Sequence, residues 1–302
     1  PTSNIQHPTS NIHPKVSNFT TVFPIKDFDL SFSLDSGQTF RWFRNKEAWE
    51  GIIHGRWVKL RSIKDGIEAV CCVSQPSWNW LIDYLQLNAP YKEIIRSFPK
   101  DKVLNQALKT YRGLRILQQE PWECLASFIL SSTKQIPQIR QGIALISERF
   151  GNPVENDSGD SITFSFPPAE TIALCSEQEL RDCRIGFRAP YLKHAAESIR
   201  DGSLDLNHLR QLPMADARTQ LTSLKGVGPK IADCVLLFGL GFHDSFPIDV
   251  WIHRILKRMY FEDRPVSIAR LQDFSRDHFG PHRGYAQQFL FHYIRNHPDF
   301  GT

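Results

Sequence analysis

Residues 224–234 read LKGVGPKIADC, two glycines around one apolar residue, then a proline with a lysine directly behind it. Gly226 and Gly228 permit positive φ and close backbone approach, and Pro229 pre-sets φ for the first turn of a following helix. ADARTQLTSLK before the glycines and KIADCVLLFGL after them both carry helical periodicity. The stretch therefore predicts helix, tight hairpin, helix over about residues 214–240, with Ile231, Val235 and Phe238 turned to a core. Backbone N–H groups at Gly226, Val227 and Gly228, next to a helix N-terminus, suit a phosphate without reading any base. As a dinucleotide fingerprint the stretch fails, because no third glycine follows at the required spacing and no strand precedes it. A plain turn is the alternative reading.

The lysine sharpens the question. A cation is disfavoured at the positive end of a helix dipole, so Lys230 is poorly placed as a stabilising surface charge and better placed for attack on a carbon electrophile. An exposed lysine or a phosphate contact is the simpler alternative. Farther on, FPIDVWIHRI puts Asp249 behind a proline and ahead of apolar periodicity, where an N-cap belongs. Capping alone explains the residue. A carboxylate kept ionised by backbone N–H groups could also stabilise a developing cation beside the amine, if the two helices pack together.

The rest of the chain divides by pattern. Residues 1–22, with the near-duplicate PTSNIQHPTSNIHP, read as a polar mobile arm. Residues 23–100 contain the short β-rich runs SFSLDSGQTFRWF, WEGIIHG, RWVKLRSI and GIEAVCCV, which predict an N-terminal α/β domain with an antiparallel sheet. Helical spacing dominates residues 101–302, interrupted by a polar insertion between Gly151 and Pro168. The fold class expected is α+β. Six cysteines without a C-x-x-C pair read as reduced thiols, and the N-terminus lacks the regions of a signal peptide. No apolar run reaches the ~20 residues of a membrane helix, so no membrane is expected and the cytoplasm or nucleoid is the default location. A net charge of +4 favours a polyanionic partner only mildly.

The hairpin, Lys230 and the Pro-Ile-Asp of residues 247–249 resemble the helix-hairpin-helix superfamily of DNA glycosylases. Within it, LDSGQTFRW, EPWECLASFILSS, IGFRAPY, LKGVGPKIADC and YAQQFLF, in that order over roughly residues 23–295, resemble the 8-oxoguanine DNA glycosylase/AP lyase family. The relatives with an iron–sulfur cluster carry four cysteines after the aspartate; here none follows Cys234. The resemblance implies a helix-hairpin-helix glycosylase body and a bifunctional repair enzyme, acting as a monomer on double-stranded DNA that contains 8-oxoguanine. It implies no metal or redox cofactor, although such hairpins can hold a structural cation. A glycosylase for another lesion and a non-catalytic DNA-backbone module are the rival readings.

The resemblance also assigns roles. Lys230 is the nucleophile and Asp249 stabilises the cationic sugar. The Gly37 carbonyl reads the N7–H that oxidation gives to guanine, Gln287 reads the base's Watson–Crick edge, and Phe291 and Cys234 wall the pocket. Phe187 is the wedge and Arg188 contacts the estranged cytosine. Three positions depart from the family. Thr133 stands where an asparagine normally fills the vacated space, Gln138 replaces a second arginine toward the cytosine, and Trp251 replaces a histidine. Lesion recognition is therefore expected to be intact and partner-base recognition relaxed.

Overall fold

The computed structural model describes residues 18–157 and 163–297. Five strands, β1 (Phe19–Phe23), β2 (Phe43–Asn45), β3 (Ala48–Ile53), β4 (Arg56–Ile63) and β5 (Gly66–Cys71), form an antiparallel sheet in the order β1-β5-β4-β3-β2. In β3, Trp49, Gly51 and Ile53 are buried while their neighbours are half-exposed, the period of two of a sheet with one covered face. Against that face lies Trp42, 2% exposed, its indole donating at 2.9 Å to the Tyr84 hydroxyl on the helix Asn79–Leu85. Burying a side chain of this size contributes about 2–3 kcal/mol.

Two sequence expectations need correction here. The duplicated part of the polar arm, residues 1–17, lies outside the described residues, but the arm does not extend to 22: FTTVF is strand β1, paired from Phe19 with Cys71 to Phe23 with Ile67. Its β-branched centre and apolar ends outweigh the polar composition upstream. The run SFSLDSGQTFRWF is not a strand either. Leu30–Leu34 is helical because Asp29 caps it, accepting from Phe32 N at 2.8 Å, and only at Phe43 does a strand begin.

The helical body is built on two buried helices. Pro121–Ser131 and Pro229–Phe238 are apolar nearly all round, and every residue from Ile231 to Phe238 is buried. Around them pack Ile136–Phe150, Ala189–Arg200, Met214–Thr222, Val250–Phe261, Ile268–Phe279 and Arg283–Asn296. The polar insertion contributes a short antiparallel strand pair, Pro153–Val154 with Thr163–Phe164, and residues 158–162 lie outside the described part. All six cysteines are buried and free. No helix among the described residues is long and apolar enough to cross a membrane.

Candidate active site

Met214–Thr222 and Pro229–Phe238 are the two helices of the hairpin, pinned by an ion pair between Arg218 and Asp233 at 2.6 Å. Ser245 donates to the same Asp233 oxygen at 3.2 Å and Gln272 to the other at 3.2 Å. Burial outweighs these partners and pushes the Asp233 carboxyl up to about 6. In the turn, Gly226 has φ +82°, and a Cβ there would stand 2.4 Å from Tyr191 Cγ. Gly228 differs from expectation. Its φ is −87°, ordinary extended backbone, and open space surrounds its α-carbon on the side a Cβ would take. The first glycine is therefore needed for conformation and close approach to Tyr191, whereas the second leaves the outer face of the hairpin bare. Gly226→Ala is expected to lower stability by about 1–3 kcal/mol or more, strain and overlap adding, while Gly228→Ala leaves the melting temperature nearly unchanged; thermal unfolding of both variants checks this.

Lys230 occupies the first turn after Pro229, half-buried, its Nζ 5.3 Å from the centre of the Phe128 ring. Phe128 in turn packs edge-on against Phe40 at 5.6 Å, three residues beyond Gly37. One turn along its own helix lies Cys234, 3% exposed, whose thiol burial pushes up to about 12 against the opposing pull of the Lys230 charge and its hydrogen bond. The lysine thus faces a neutral thiol.

Asp249 caps Val250–Phe261 as the sequence predicts: one carboxylate oxygen accepts from Trp251 N at 3.0 Å and Ile252 N at 2.8 Å. Burial raises its pKa, opposed by the Ile252 N–H bond and the nearby Lys230 charge. Lys230 and Asp249 therefore stand at the N-termini of two helices, within electrostatic reach but without an ion pair of 4.0 Å or less among the described residues.

The helix Arg283–Asn296 carries Gln287 and Phe291, one turn apart. Gln287 is 5% exposed, yet its Oε1 is buried with no hydrogen-bond partner. An amide left in that state costs stability unless something supplies a donor. Phe291 lies against the Gly37 turn: a Cβ on Gly37, whose φ is +81°, would stand 3.1 Å from Phe291 Cε1. The structure thus brings Phe291 to the Gly37 turn, with Gln287 one helical turn before it.

The opposite rim is less as expected. Phe187 is 52% exposed with its ring edge-on to Tyr191, so it is no core phenylalanine. Arg188, by contrast, is only 4% exposed, with its guanidinium 4.2 Å from the Phe187 ring centre. It donates to the Ser132 carbonyl at 2.9 Å, to the Thr133 hydroxyl at 2.7 Å and to the Ile185 carbonyl at 3.2 Å. Thr133, exposed and at φ +54°, is clasped by the arginine, and Lys134 ties the same loop to the Arg184 carbonyl at 2.7 Å. No sequence signal announced that clasp. Gln138, exposed, turns its Oε1 back to accept from Gln135 N at 3.2 Å, which leaves its amide nitrogen free to approach a partner. A cavity of about 710 Å³ lies elsewhere, around Glu120 and Glu123 at the far end of the Pro121–Ser131 helix, away from Lys230 and Thr133.

Comparison with known proteins identifies the family. Residues 21–125 match the 8-oxoguanine DNA glycosylase N-terminal domain, and residues 126–273 match the HhH-GPD superfamily of base excision DNA repair proteins. The structure of MBOgg1 in complex with a low-affinity DNA ligand superposes with a TM-score of 0.88 at 35% identity, covering 95% of this chain and 99% of that one. The Clostridium acetobutylicum 8-oxoguanine glycosylase/lyase, solved with double-stranded DNA carrying cytosine opposite 8-oxoguanine, gives 0.85 at 31% identity, covering 92% and 98%. The N-glycosylase/DNA lyase of Saccharomyces cerevisiae is 30% identical over 76% of this chain and 68% of its own. The chain belongs to the 8-oxoguanine DNA glycosylase family of the HhH-GPD superfamily.

Proposed function

We propose that this protein is a bifunctional DNA glycosylase and AP lyase that removes 8-oxoguanine from double-stranded DNA and then nicks the strand. The observation that carries the reading is the half-buried amine of Lys230 near the capped carboxylate of Asp249, beside a hairpin that presents bare backbone. Lys230 Nζ attacks C1′ of the flipped nucleotide and the bond to the base breaks, with Asp249 stabilising the positive charge that develops on the sugar. Loss of a proton from the amine and opening of the sugar leave a Schiff base. Abstraction of a C2′ proton then expels the 3′ phosphate by β-elimination. The reaction as written uses no metal or redox group.

In the same reading the Gln287 Oε1, buried without a partner, accepts from the N–H groups of the base's Watson–Crick edge, and Phe291 and Cys234 wall the pocket. Phe187 wedges the stack. Arg188 reaches the estranged cytosine after releasing Ser132 and Thr133, and Thr133 partly fills the gap. The exposed Gly226 and Gly228 N–H groups hold a phosphate, whereas the Val227 N–H, expected from the sequence to share in this, is spent on the Leu224 carbonyl at 3.1 Å and closes the turn instead. Such a substrate puts the enzyme wherever the cell keeps its DNA, the nucleoid or, in a eukaryote, the nucleus. Release of free 8-oxoguanine from a lesion duplex, followed by strand nicking, is the test; release of a different modified base instead would reassign the substrate.

Partner-base selectivity follows from Gln138. Its free amide nitrogen is a neutral donor, and its Oε1 can accept from a base only by giving up Gln135 N, so it adapts to several bases where a guanidinium suits cytosine's acceptors. Gln138→Arg is expected to sharpen the preference for cytosine opposite the lesion about tenfold, one base contact's worth. Single-turnover excision from four duplexes differing only in the opposite base measures it, and equal selectivity in both proteins removes Gln138 from the account.

A further inference from the structure

Resting on the proposed reading of the lesion by the Gly37 carbonyl, we infer that Gln288 and Arg295 are positioning residues that fix this carbonyl and thereby set the discrimination of 8-oxoguanine from guanine. The two bases differ at N7 by the presence of a donor, and a hydrogen bond weakens steeply with misalignment. A carbonyl on a loose turn would read that difference poorly, so the anchorage of Asp35–Gly37 matters.

The turn is gripped from two sides. On one side the buried Gln38 amide donates to the Ser33 carbonyl at 2.9 Å and the Arg115 carbonyl at 2.8 Å, and accepts from Leu117 N at 2.8 Å. On the other side the grip comes from the Arg283–Asn296 helix. Gln288, 2% exposed, donates to the Ser36 carbonyl at 3.0 Å. Arg295 reaches the Asp35 carbonyl at 3.4 Å, and its Nη1 lies 3.3 Å from the position a Cβ on Gly37 would take. Arg140, from the Ile136–Phe150 helix, holds the Asp35 carboxylate at 2.8 Å. Gln288 and Arg295 are seven residues apart and share a helix face, adjoining the face of Gln287 and Phe291. One rigid element therefore carries the edge-reading Gln287 and one wall, Phe291, and sets their distance to the Gly37 carbonyl. Neither anchor is described in contact with Lys230 or Asp249, so their effect falls on reading the base and leaves the chemistry at the sugar alone.

The test uses two substrates, a duplex with 8-oxoguanine opposite cytosine and one with a preformed abasic site, where Lys230 can act but no base is read. Gln288→Leu and Arg295→Met are each expected to slow single-turnover excision about tenfold, one aligned hydrogen bond's worth, while nicking at the abasic site proceeds at the wild-type rate. Arg295 is half-buried, so its variant keeps the test decisive if Gln288→Leu folds poorly. Equal losses on both substrates, or no loss on either, overturn the inference. A wild-type protein that nicks the abasic site but leaves 8-oxoguanine in place instead refutes the lesion reading beneath it.

Discussion

Lys230→Gln is expected to lose base excision by about a thousandfold or more, the scale on which removing a covalent nucleophile acts, while binding lesion duplex nearly as tightly as the native protein. The amine packs on the Phe128 ring and the Cys234 thiol, and although its removal takes a cation from near Asp249, that carboxylate keeps its bonds from Trp251 N and Ile252 N. The elements proposed to hold DNA, the hairpin around Gly226 and the exposed Phe187, lie outside those contacts. Single-turnover excision alongside a binding titration separates the two effects. Excision at the native rate would take Lys230 out of the mechanism, and a parallel loss of binding would make it a DNA contact.

Asp249→Asn is expected to slow excision about 10²–10³-fold, the range seen when one group stabilising transition-state charge is removed, with stability changed by less than about 1 kcal/mol. The asparagine oxygen can still accept from Trp251 N and Ile252 N, and asparagine caps as well as aspartate. Only the charge is lost. Burial raises the pKa of the native carboxyl, against the Ile252 N–H bond and the Lys230 charge, so the ionised form that the mechanism uses is depleted on acidification earlier than at an exposed aspartate. The native enzyme should therefore lose activity as pH falls through that raised pKa, and the asparagine variant should lack this limb. A large drop in melting temperature with little change in rate would make Asp249 a structural cap alone.

Much of this site is legible in sequence because its parts are local. Gly226, Pro229 and Lys230 lie within one turn, and Asp249 announces its cap by the proline before it and the apolar period after it. Gln287 and Phe291 share a face by spacing alone. Less legible are features that depend on distant partners. LDSGQTFRW alternates like a strand, yet Asp29 caps a helix just before it and Gln38 ties its turn to residues 33, 115 and 117. The Arg188 clasp on Ser132 and Thr133 joins segments more than fifty residues apart, so no periodicity encodes it. Gly228 shows the limit of reading glycine as positive φ: composition suggests freedom, but the chain there is extended and the residue only leaves a surface bare.

The central claim is that Lys230 becomes covalently joined to the sugar of an 8-oxoguanine nucleotide. Borohydride reduction during reaction with a duplex carrying 8-oxoguanine opposite cytosine tests it most directly, because the reductant fixes the Schiff base as a stable amine. The account predicts a protein–DNA adduct that maps by peptide mass to Lys230, forms with the lesion duplex but not with its guanine counterpart, and is absent from Lys230→Gln. Release of 8-oxoguanine without any trapped adduct, or an adduct on another residue, would contradict it.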